Sequence, residues 1–123
     1  MQAVILLARV LMSAGFLWGG YRMLMAPTAT MGMFTHYRLP MVGAVYALAV
    51  VVELGGGALT LLGWKTRYVA PAMAAWCAAT AWVAHWHPGD SAQIMDFYQN
   101  LTMAGGFLLL AAYGAGRISL DRE

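Results

Sequence analysis

Four stretches of this chain, residues 3–25, 41–63, 68–86 and 97–115, run for about twenty residues each with almost no charge, and that narrows the folds open to it. The first holds Arg9 and, near its far end, Arg22. The second holds only Glu53, the third has none before His85, and the fourth has none. An α-helix needs ~20 apolar residues to cross about 30 Å of hydrocarbon, and each stretch is close to that length. A soluble helical bundle would need polar faces on its helices, and these stretches have none. The first also lacks the basic leader of a secretory signal, and three more apolar stretches follow it.

Composition agrees. Charged residues make up 10% of the 123 and hydrophobic ones 62%, whereas soluble domains carry roughly a quarter charged residues. The reading is one domain, 1–123, all-α, an integral membrane four-helix bundle with antiparallel up-down topology. The single cysteine, Cys77, excludes an intrachain disulfide and a CxxC redox pair. The small, scattered net charge of +2 gives no nucleic-acid footprint.

Pro27 ends the first span and residues 26–40 read as the longest connection, with Pro40 in the first turn of the second span. Residues 63–67 form a tight turn, His87-Pro88-Gly89-Asp90 breaks the third helix, and 91–96 read as a short lead-in to the fourth. Lys65, Arg67, Arg117 and Arg122 fall on the side of the termini, against Arg22 and Arg38 on the other. That bias of basic residues places both termini in the cytoplasm of a bacterial or archaeal cell (inner) membrane.

Glu53 is the costliest residue of the pattern, a carboxylate roughly 15 Å from the Gly63 end of its span. Arg9, on the first span, lies roughly 9 Å from the same face, near enough for an extended guanidinium to reach it. Arg9, Ser13, Phe16 and Gly20 share one helix face, as do Tyr46, Glu53, Gly57 and Thr60, and Gly15-x-x-x-Gly19 offers a second packing stripe. The expectation is a buried Arg9–Glu53 ion pair fixing helix register; the competing reading is a proton-handling or ligand-binding carboxylate.

At the opposite end, Arg22, His85, Tyr98 and Asn100 fall at one membrane level with Trp82 and Trp86 nearby. Cations, hydrogen-bonding groups and an aromatic wall suit the headgroup of a quinone. An interfacial belt accounts for the same tryptophans and tyrosines. Met23, Met25, Met31, Met33 and His36 offer soft ligands for Cu(I), but methionine is also a common apolar filler, so no metal site is assigned.

The ordered combination of LLARV (6–10), FLWGGYRML (16–24), Pro40, VELGGGALTLLGWKTR (52–67), HWHPGD (85–90), NLTMAGGFLLLAAYG (100–114) and GRISLD (116–121) resembles the DoxX family of small four-helix membrane proteins. Arg22 stands where that family commonly has lysine, and Gln99 where a lysine often precedes the Asn-Leu pair. The resemblance implies a membrane subunit associated with a quinone-linked oxidoreductase complex, with membrane lipid and other subunits as partners. The alternatives are a non-catalytic anchoring or assembly subunit, or a small transporter or copper-handling protein.

Overall fold

A computed structural model describes residues 1–122. It is all-α among the described residues, with five helices: α1 (Gln2–Met25), α2 (Pro27–His36), α3 (Val42–Leu62), α4 (Thr66–His85) and α5 (Ser91–Tyr113). Two of them, α1 and α3, are both long and apolar enough to cross a membrane.

The expected connection at 26–40 is in fact largely helical, which makes five helices rather than four. Pro27 sits in the first turn of α2, where its missing N–H costs nothing, so the residue that stops α1 also starts the next helix. Pro40 lies ahead of α3 rather than inside it. The chain turns sharply there, with Arg38 and Met41 both at positive φ (61° and 50°). Residues 91–96 are not a separate lead-in. They form the first turns of α5, where Asp90 caps the backbone N–H groups of Ala92 and Gln93.

α1 packs on α3, and α4 on α5. The buried face of α1 is Arg9, Ser13, Phe16 and Gly20. Gly20 lets Leu54 of α3 approach so closely that a Cβ would lie 2.7 Å from its Cγ, and Gly57 does the same for Phe16 and Leu17 at 3.2 Å. Gly15 takes no part in this packing; nothing lies within 4 Å of where its Cβ would be. The core is Phe16, Ala70, Met73, Ala74, Cys77, Ala104, Phe107 and Leu110. Alanines on α4 let α5 come close, and the Phe16 and Phe107 rings meet edge to face at 5.6 Å, joining the two helix pairs.

One end of the molecule is closed by the tail. The backbone N–H groups of Leu120 and Asp121 donate to the carbonyls of Leu62 and Gly63, at 3.0 and 2.9 Å. Arg117 N–H donates to Gln2 Oε1 at 2.7 Å, so the beginning of α1, the turn after α3 and the tail share this end. Gly63 is required there. Its φ is +66°, and an added Cβ would lie 3.0 Å from that of Ala115 and 2.5 Å from that of Ser119.

Candidate functional site

Arg9 and Glu53 do not form an ion pair. The Arg9 guanidinium turns toward the tail-closed end, donating to the Leu61 carbonyl at 3.0 Å and also to the Ile118 carbonyl. The reason is physical. The last turn of a helix leaves carbonyls without intrahelical partners, and a guanidinium that snorkels toward the membrane face satisfies one of them and a tail carbonyl together. Asp121 supplies the nearby negative charge and also bonds the backbone N–H groups of Lys65 and Thr66, at 2.7 and 2.9 Å, capping α4 from across the chain. Partial burial pushes the Asp121 carboxyl up, but the bonds from Thr66 and Lys65 and the Arg9 charge outweigh it and hold it below the usual carboxylate range.

Glu53 is left to a different environment. It sits in a π-helical turn, Val52–Gly56, that interrupts α3, a feature that often marks functional positions. Its Oε1 accepts from the Trp76 indole N–H of α4 at 3.4 Å. Its Oε2 lies against Gly19 of α1, where an added Cβ would meet it at 3.1 Å.

Three cavities surround α2. The first, of about 670 Å³, is lined by Met33, His36, Tyr37, Trp86, His87, Pro88, Gly89, Asp90 and Gln93. The second, of about 390 Å³, includes Trp18, Gly19, Arg22, Thr30 and Met33. The third is a narrow slot of about 170 Å³ walled by Phe34, Tyr37, Leu39, Val45, Ala49, Trp76, Val83 and their neighbours. Tyr37 lines both the first cavity and the slot, and Met33 lines both the first and the second.

The four residues expected to form one headgroup site have different surroundings. Arg22 lines the second cavity. The His85 Nδ1 is engaged with Gln93 Oε1 at 2.8 Å, with Asp96 4.0 Å away. Tyr98 is 57% exposed, its ring edge-on to Phe97, and Asn100 is half-buried on α5. The tryptophans expected as a wall do assemble: Trp82, Trp86 and Phe97 pack with ring centroids 4.9 to 5.1 Å apart. His36, Tyr37, His87 and Gln93 line the first cavity together; the first two fall within 26–40, which as a connection gives no helix face to count. Met33 and His36 meet His87 in one cavity. Even so, no three His, Cys, Asp or Glu side chains among the described residues converge to hold a metal.

The DoxX family model matches residues 4–86. The chain belongs to the DoxX family. Among curated proteins, the Escherichia coli (strain K12) inner membrane protein YqjF is 34% identical over 118 residues, covering 96% of this chain and 89% of the relative. The inner membrane protein YphA of the same organism is 32% identical over 125 residues, covering 98% and 89%. No solved structure matches. A DoxX protein is a membrane protein, which accounts for Leu7, Leu11, Leu48, Val51, Leu108 and Leu109 standing exposed: they face lipid.

Proposed function

We propose that this DoxX chain is a membrane subunit serving a quinone-linked oxidoreductase, and that its α2 end receives the quinone headgroup. The observation that carries this reading is the position of Tyr37, shared by a cavity that His36, His87, Asp90 and Gln93 help to line and an apolar slot. A quinone asks for that junction: donors at its carbonyl oxygens, an apolar path for its tail and access from lipid.

The chain's own residues divide the work. His36, His87 and the Tyr37 hydroxyl offer hydrogen bonds to carbonyl oxygens. His85 holds the oxygen of Gln93, which leaves the amide nitrogen of this cavity-lining residue as a donor. Trp86 and Met33 supply flat and soft apolar surface for a ring, and Phe34, Leu39, Val45 and Val83 line the way for a tail. A bound quinone would supply reversible two-electron chemistry, and an imidazole is suited to take up or return its protons.

Purification in native lipid, followed by extraction and quantification of quinone, tests the reading. The wild-type chain should retain quinone well above its share of the surrounding lipid, and Tyr37→Ala and His87→Ala should lose it while assembling normally. Wild-type protein carrying no more than the lipid does would overturn it, and co-purification of a larger complex without quinone would make the chain an anchoring subunit.

A further inference from the structure

We infer that Glu53 is a proton-exchange site inside the membrane, served from the cavity that Arg22 lines. The inference stands apart from the quinone reading and uses a different cavity.

Its first support is placement. A carboxylate near the bilayer midplane is costly to leave charged without a partner. Among the described residues the only side-chain ion-pair contact within 4.0 Å is His85–Asp96, so none involves Glu53. Its single hydrogen bond comes from a neutral indole.

The second support is the inequality of its two oxygens. Trp76 Nε1 can only donate, so Oε1 is held as an acceptor and a proton belongs on Oε2. Oε2 is the oxygen that lies against Gly19, and Gly19 is part of the lining of the Arg22 cavity. A Cβ there would lie 3.1 Å from Oε2, so the carboxyl would have to move back by a few tenths of an ångström. The π turn adds to this, because such insertions re-aim side chains and recur at functional positions.

The groups around the carboxyl are few. From α1 come Gly19 and, one turn on, the exposed Arg22; from α4 come Trp76 and the buried thiol of Cys77. On α3 itself the nearest titratable group is Tyr46, whose hydroxyl donates to the Met23 carbonyl at 2.9 Å. Proton exchange at this site moves H⁺ between Oε2 and water in the cavity, and needs no oxidant or reductant.

Dicyclohexylcarbodiimide, which attacks protonated carboxyls in apolar surroundings, tests this on the full-length wild-type chain in oriented liposomes. Peptide mass spectrometry should find the adduct on Glu53. Its rate should fall severalfold as pH is raised on the Arg22 side and stay constant when only the opposite side is changed. Gly19→Ala, which crowds Oε2, should slow the reaction severalfold. The inference is overturned by an unmodified Glu53, by a rate indifferent to pH on the Arg22 side, or by an unchanged rate in Gly19→Ala.

Discussion

Trp76 Nε1 lies 3.4 Å from Glu53 Oε1, so the deepest carboxylate of α3 is tied to the same side chain that walls the apolar slot. One indole thus links the interior of α3 to the surface of α4. Replacing Trp76 with Phe keeps most of the ring and removes the donor. The expected cost is about 1–3 kcal/mol, the range for stranding a buried acceptor. Unfolding in mild detergent measures it, and an unchanged stability would mean that the bond has no energetic consequence.

Arg9 couples to the tail and not to Glu53. Arg9→Leu strands the Leu61 and Ile118 carbonyls, at roughly 1–3 kcal/mol for the loss. In double-mutant cycles, Arg9→Leu with Glu53→Gln should be additive within about 0.5 kcal/mol. Arg9→Leu with Asp121→Asn should not be additive, because the two charges belong to one cluster. The opposite pattern would restore an Arg9–Glu53 pair.

Asp121 makes the tail-closed end sensitive to acid. Its folded-state carboxyl lies below the usual range, so its stabilising effect is fully present above the unfolded value and is lost as pH falls through the folded one. The wild type should therefore exceed Asp121→Asn in thermal stability at neutral pH, with the gap closing on acidification. A gap that stays constant down to strongly acidic pH would contradict this.

Much of the helical framework was legible from local chemistry. Proline at 27, glycine at 63 and the His-Pro-Gly run at 87–89 each stop or redirect a helix for reasons confined to a few residues. The packing face of α1 followed from spacing alone. What was not legible depends on distant partners. Arg9 meets Ile118, 109 residues away, and no local pattern points to that tail carbonyl. The first cavity is illegible for a related reason: Tyr37 and His36 matter because α2 brings them to the cavity that His87 and Gln93 also line, and a connection gives no face to count.

Both chain ends should be reached from one side of the membrane, since Gln2 and Arg117 are hydrogen-bonded to each other and Leu62 to the tail. Single cysteines at 66 and 117, in a Cys77→Ala background, should label together. A cysteine at 90 should label from the opposite face. On the excess of Lys65, Arg67, Arg117 and Arg122 the first pair is expected in the cytoplasm, so only position 90 should react in intact cells. Ready labelling of 66 in intact cells would reverse the orientation.

The most direct measurement of the central claim is photolabelling with an azido-quinone in native membranes, read by peptide mass spectrometry. Labels are predicted on the segments that meet at Tyr37, residues 33–39 and 83–93, and excess unmodified quinone should suppress them at least about tenfold. Labelling spread over the lipid-facing surfaces of α1 and α5, and not displaced by excess quinone, would contradict a quinone site at this junction.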